Sequence, residues 1–275
     1  MFARKLKNTI AVGCAYLACA LGLFLLGAIL YTLLSKGLSA INWQMLTESM
    51  PGPGSEGGGL YNAIIGSLMM TVCTTILVTP IGLLAGTWLA EFGKGTKLRE
   101  VIRFVNGILL SLPSILIGLF IYELIVIPSG HFSGWAGILS LTIIALPIIV
   151  TATEDMLQLL PGSLREAAAG LGIPRWRIIC QIGYRAARSG LVTGVILAVA
   201  RVSGETAPLL FTSLNNDFTS YSLNGPIASL PVTIYQYAMS PYQNWNDLAW
   251  GGALLLTMMV LILNIISRLL VAKKA

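Results

Sequence analysis

The chain has 275 residues, of which 56% are hydrophobic and only 10% charged. That balance excludes an ordinary soluble domain and predicts a protein that crosses a bilayer repeatedly, since one crossing needs about 20 apolar residues. The net charge of +6 sits in clusters beside apolar runs, so it reads as an orientation signal and argues against a nucleic-acid partner.

Six runs are long enough to span: roughly 10–34, 60–90, 103–127, 135–158, 189–212 and 248–271. The expected fold is therefore an all-α integral membrane bundle of six transmembrane helices in contact with lipid, with no solvated domain. The first run is too long for the apolar core of a signal peptide and predicts an uncleaved helix. Cys14, Cys19 and Cys73 fall in spans, where they are expected to be small packing residues, and with Cys180 they form no metal or redox spacing. Ser35 to Gly59 is an external loop rich in turn residues, in which Trp43 and Pro51 hint at local packing.

The second span carries Ser67, Thr71, Thr75 and Thr79 at four-residue spacing, a polar stripe on one helix face. Such a stripe either lines a pathway or serves helix packing, as does the small-residue pair Gly82 and Gly86. Pro80 is placed to kink this run. Gly93-Lys94-Gly95-Thr96 fails as a phosphate loop, because Trp88 stands where a glycine is required and no hydroxyl follows Lys94 directly. The chain is expected to bind no cofactor of its own.

Ser111, Pro113 and Ser114 predict a kink in the third span, and the fourth ends in Thr151, Thr153, Glu154 and Asp155. The only histidine, His131, lies between these spans and is given no role. After the fourth span, Ser163 to Arg188 is a charged stretch. Leu164 to Ala169 predicts a short helix, Gly170 and Gly172 a stop, and Pro174 the first turn of a second helix. Small side chains on this helix–turn–helix suit a plug for a groove on a partner.

The fifth span contains Ala200-Arg201-Val202-Ser203-Gly204-Glu205-Thr206-Ala207-Pro208. Arg201 and Glu205 are four residues apart and are expected to share a helix face. An arginine at bilayer depth costs roughly 2.5–3.5 kcal/mol on insertion scales, which makes it a functional candidate by default. The pair is either an ion pair that orders the bundle or an anion checkpoint. In the second reading the guanidinium supplies a planar fork of donors, and Glu205 holds Arg201 at rest or accepts a proton-borne hydrogen bond from the anion. Phosphate near neutral pH can donate such a bond and sulfate cannot.

Ser213 to Asp247 reads as a second external segment, with Tyr221, Tyr235, Tyr237, Tyr242 and Trp245 expected to anchor at the interface or meet an external partner. The last span, with Asn264 and Ser267, reads as a support helix. With six spans, fifteen of the seventeen basic residues fall on one side, among them Arg4, Lys5, Lys7, Arg268, Lys273 and Lys274. Both termini are therefore expected in the cytoplasm.

The spacing of the charged stretch resembles the EAA loop of type I ABC-importer permeases. Glu166, Ala167 and Ala168, then Gly172, then Ile182 stand in register, while Tyr184 and Arg185 replace the family's Leu-Pro. Gly204 to Leu210, Pro226 to Tyr235 and Asn244 to Trp250 are similar to the permeases of phosphate-specific importers, a likeness that runs from about Leu60 to the C-terminus. The resemblance implies a type I ABC permease (MetI-like) domain over 60–275, with the EAA loop at about 163–188, preceded by an N-terminal portion over 1–59. It implies alternating-access import of inorganic phosphate across the bacterial plasma (inner) membrane, with another oxyanion (sulfate, molybdate or phosphonate) as the alternative.

The same likeness implies partners: a sister permease in a heterodimer, two copies of a cytoplasmic ATPase that binds the ATP and magnesium, and an external phosphate-binding protein. The chain would then perform no catalysis. Substrate translocation would fall to Arg201, Glu205, Glu154 and Thr206, and ATPase coupling to Glu166, Ala167, Ala168, Gly172 and Ile182. One departure concerns Glu154: Thr151 stands where the family often has an arginine. Either the second cationic contact comes from the sister subunit or Glu154 has lost its partner.

Overall fold

The computed structural model describes residues 2–55 and 57–272. Lys273 and Lys274 lie outside the described residues, as do the side chains of Ser267 and Arg268. All regular structure among the described residues is helical. The helices are α1 (Phe2–Ala40), α2 (Trp43–Thr47), α3 (Tyr61–Phe92), α4 (Lys97–Ser111), α5 (Ser114–Ser129), α6 (Gly134–Gln158), α7 (Gly162–Gly170), α8 (Arg175–Ser203), α9 (Ala207–Thr212), α10 (Leu230–Ala238) and α11 (Gln243–Ala272). Five of them are long and apolar enough to cross a membrane, and α4 with α5 makes a sixth, bent crossing.

Side-chain caps fix several starts: Asn42 accepts from the Met45 N–H, Thr96 from Arg99 and Ser133 from Ala136. The third span bends far more than a kink, by 104° between α4 and α5. Leu112 is extended, as a residue before proline prefers, and Pro113 has no N–H to continue the ladder.

The fifth span departs from expectation at both ends. Its helix begins at Arg175, inside the predicted loop, and stops at Ser203. A helix continuing through Pro208 would drive the proline ring against the Gly204 carbonyl, so the chain breaks over residues 204–206 and restarts as α9. Glu205 therefore does not share a helix with Arg201.

The centre of the bundle is α3, α6 and α8. Glycines set the register: a methyl group on Gly82 would sit 2.7 Å from Ile149 Cγ2, and one on Gly86 2.6 Å from Thr153 Cβ. These contacts run α3 parallel to α6 and resolve the Gly82–Gly86 pair as packing. Gly190 lies against Met156 and Gly194 against Ala152, so α8 runs antiparallel to α6. The buried cluster between these helices includes Met70, Val78, Ile138, Leu141, Ile149, Ala198 and Val202.

The polar stripe of α3 divides. Ser67 accepts from the Leu230 N–H at 2.7 Å, Thr75 bonds back to the Thr71 carbonyl, and the buried Thr79 hydroxyl has no partner. The Ser213 to Asp247 segment is no simple surface loop. Ile227, Ala228, Leu230 and Val232 are buried, and Ala228 packs its carbonyl on Gly66. Of its aromatics, Tyr237 is buried and stacks on Trp245 at 4.4 Å, while Tyr221, Tyr235 and Tyr242 are exposed. The turn-rich loop after α1 is also ordered by packing, with the Leu60 N–H bonded to the Met45 carbonyl and both side chains buried.

Among the described residues, most of α1 is exposed and packs on no other helix. It meets α11 near its end, where Gly37 packs on Leu254 and Lys36 lies over the Trp250 ring. Cys14 and Cys19 are accordingly exposed, and do not pack within the chain as expected; Cys73 is half-buried.

Candidate functional site

The structure separates the predicted site residues into three stations. The first is Arg201 with Glu205. Continuing the register of Gly190 on Met156 and Gly194 on Ala152 puts Arg201 level with Ala145, near the middle of α6. Its Nε lies 3.6 Å from Glu205 Oε1, an ion-pair distance too long for a good hydrogen bond. The Arg201 side chain is 50% exposed within the isolated chain and that of Glu205 only 14%. Thr206 follows directly in the helix break, where its carbonyl accepts from the Leu210 N–H. The break thus leaves Glu205 and Thr206 on non-helical backbone, with Glu205 beside the arginine. Such backbone is tolerated at membrane depth only inside protein or along a cavity.

The second station is Glu154, nine residues along α6 from the Arg201 level, or about 14 Å at 1.5 Å per residue. It is buried and has partners within its own chain, contrary to both alternatives drawn from the sequence. Arg103 donates through Nε and Nη2 at 2.9 and 2.6 Å to Oε1, and Arg99 Nη2 and Gln158 Nε2 donate to the same oxygen at 2.9 and 2.8 Å. One helical turn away, Asn106 donates to Thr151 Oγ1 at 2.8 Å, so that hydroxyl serves the α4–α6 contact. Arg99, Arg103 and Asn106 share one face of α4, and their lysine- and arginine-rich context had been read only as an orientation signal.

The third station is the EAA region. α7 carries Glu166, Ala167 and Ala168; the first two are exposed and Ala168 is buried. Gly172 has φ +77°, a left-handed conformation that accounts for glycine there. Pro174 caps the next helix and Ile182 lies half-buried in a widened π turn, Ile178–Gly183. Leu171 and Trp176 stand 79% and 59% exposed beside them, an apolar tip on an otherwise charged segment.

One functional contact was absent from the sequence reading. Arg165 donates through Nη2 to Glu91 Oε1 at 2.7 Å and to the Leu157 carbonyl at 2.6 Å, and through Nη1 to the Leu160 carbonyl at 2.9 Å. It satisfies carbonyls at the C-terminus of α6 while tying α7 to the end of α3. A cavity of about 280 Å³ lined by Glu91, Arg165, Glu166 and Arg175 lies beside it. The only sequence signal was an acid at the end of one span and an arginine 74 residues later.

Residues 79–273 match the family model described as binding-protein-dependent transport system inner membrane component. The chain is 54% identical over 272 residues to a phosphate transport system permease protein PstA of Pasteurella multocida, covering 99% of this chain and 97% of that one. It is 50% identical to the Yersinia pestis protein of the same name, over 98% of this chain and 92% of that one. Among solved structures, the inward-facing MetNI methionine ABC transporter is similar in fold. The TM-score is 0.65 at 22% identity, covering 78% of this chain and 96% of that one.

Proposed function

The chain belongs to the PstA family of phosphate transport system permease proteins, and from that premise we propose that it is the conduit through which an ATP-driven importer passes inorganic phosphate into the cytoplasm. The observation that carries the reading is Arg201, level with the middle of α6 and only loosely held by Glu205 at 3.6 Å. A guanidinium at that depth, not fully spent on its neighbour, is a resting place for an oxyanion. Glu205 keeps the arginine in place between arrivals and accepts a hydrogen bond from protonated phosphate. Thr206 adds a hydroxyl at the same break.

ATP and magnesium belong to a separate cytoplasmic ATPase, present as two copies, against which Glu166, Ala167, Ala168, Gly172 and Ile182 form the docking segment. The exposed Leu171 and Trp176 support a partner there. A sister permease completes the pathway, and an external phosphate-binding protein delivers the ion. The helices alternate in direction across six crossings, which supports termini on one side; the basic clusters put that side in the cytoplasm of a bacterial inner membrane.

The test is radiolabelled phosphate uptake in cells lacking other phosphate importers, with the chain expressed beside its partner subunits. Uptake suppressed by arsenate and indifferent to sulfate is the expected result. An assembled complex that takes up sulfate or molybdate and no phosphate overturns the choice of ion.

A further inference from the structure

We propose that Arg99 and Arg103 form a second oxyanion station, about 14 Å along α6 from Arg201, and that the Glu154 carboxylate occupies it as an internal stand-in for phosphate. The inference rests on the phosphate reading above and extends it to residues outside the Arg201–Glu205 pair.

The observation is a surplus of donors. Four N–H groups, from Arg99, Arg103 twice and Gln158, converge on Glu154 Oε1 at 2.6–2.9 Å, while Oε2 receives a single longer contact of 3.2 Å from Arg103. One carboxylate oxygen has too few lone pairs for four donors. Arg99 Nε is buried and has no partner at all. In charge, two guanidiniums face one carboxylate and leave an excess of one positive charge. The neighbouring acids Asp155 and Glu100 are exposed and form no ion pair with either arginine, and Asp155 adds only a longer-range attraction to Arg103. A clamp built only to join α4 to α6 would be complete with one arginine.

A tetrahedral oxyanion with more acceptor oxygens fits this donor set better than the carboxylate does. Arg103 is 48% exposed on its side chain, so the station is open on one side, whereas Arg99 at 18% forms its back. Phosphate arriving from Arg201 would displace Glu154 from Arg103. The returning carboxylate would then expel the ion, so that the station binds transiently and releases. The same donors suit the phosphate of a lipid headgroup, the one other source of this chemistry at that position.

The experiment measures binding of inorganic phosphate to the whole complex, without the external binding protein, in nanodiscs of phosphatidylcholine. Removing the stand-in charge with Glu154→Gln is expected to tighten phosphate binding by about tenfold, and adding Arg103→Gln to return it to the starting level. Repeating the titration in phosphatidylglycerol separates the sources. A gain that survives there belongs to free phosphate, and a gain lost there shows the station held by lipid.

Should Glu154→Gln fail to assemble, Glu154→Asp, which withdraws the carboxylate by one methylene, gives the same sign. No gain from either variant, in a preparation whose unaltered complex imports phosphate, overturns the station. Absent import by the unaltered complex overturns instead the functional reading on which it rests.

Discussion

Arg201 and Glu154 face opposite problems at the scale of single residues. Arg201 sits deep and loosely paired at 3.6 Å; Glu154 is buried and over-supplied with donors. Replacing Arg201 by glutamine keeps the length and polarity and removes the charge. Since its one ion-pair contact is weak, the bundle should assemble normally, while phosphate uptake falls by about a hundredfold, the loss of a charge-assisted contact to the ion. Arg201→Lys, which keeps charge without the planar fork, should retain a small fraction of uptake. Normal uptake by Arg201→Gln in a complex of unaltered assembly would reduce the pair to a structural one. Arg201 and Glu205 were legible in the sequence because an arginine inside an apolar run is conspicuous. The partners of Glu154 were not, because they lie 51 and 55 residues away among basic residues that orientation alone explained.

At the scale of elements, glycines decide where helices meet. A methyl group on Gly86 would fall 2.6 Å from Thr153 Cβ and equally near the Val150 carbonyl, so α3 would have to move off α6. Gly107, on the outer part of α4, has nothing within 4 Å of such a methyl. Gly86→Ala should therefore destabilise the complex by about 1–3 kcal/mol, and Gly107→Ala should be neutral or stabilise by roughly 0.5–1 kcal/mol through helix propensity. Thermal melts of the two variants in one detergent check both signs; equal shifts would remove the packing role from Gly86. The number of crossings was legible here, since apolar length reports it directly. The bend at Pro113 was legible in place and not in size, and the break at Gly204 was missed. Hydropathy runs smoothly across Ala207 to Thr212, and only the steric demand of Pro208 on the preceding turn interrupts the helix. The buried turn at Ile227 to Leu230 was missed for a related reason: the Leu230 N–H is satisfied by Ser67, and the turn packs on Gly66, both far away in sequence on α3.

At the scale of the whole molecule, the proposed coupling requires a stroke of the partner ATPase on α7 to reach Arg201. The direct route runs through the two helices that flank the EAA segment, α6 and α8. The structure adds α3, because Arg165 ties α7 at once to the Leu157 carbonyl at the end of α6, to that of Leu160 just beyond it, and to Glu91 at the end of α3. Since α3 and α6 run parallel and pack closely through Gly82 and Gly86, the brace joins α7 to that pair, and the antiparallel α8 packs on α6 through Gly190 and Gly194. Glu166 is exposed on the same helix, so the proposed docking and the bracing fall to adjacent residues about 100° apart around it.

The two functions should then separate. Glu166→Lys alters the exposed face and should lower the amount of ATPase that co-purifies with the permease. Arg165→Met removes the brace and leaves that face intact, so ATPase should co-purify at normal levels and hydrolyse ATP, while phosphate delivered per ATP falls several-fold. Glu91→Ala, which removes only the acceptor on α3, should show a smaller fall in the same ratio, because the carbonyl contacts of Arg165 persist. Measuring uptake and hydrolysis together in proteoliposomes decides the matter. If Arg165→Met lowers both rates in proportion, the residue merely supports folding of the segment, and the stroke passes through α6 and α8 without help from α3.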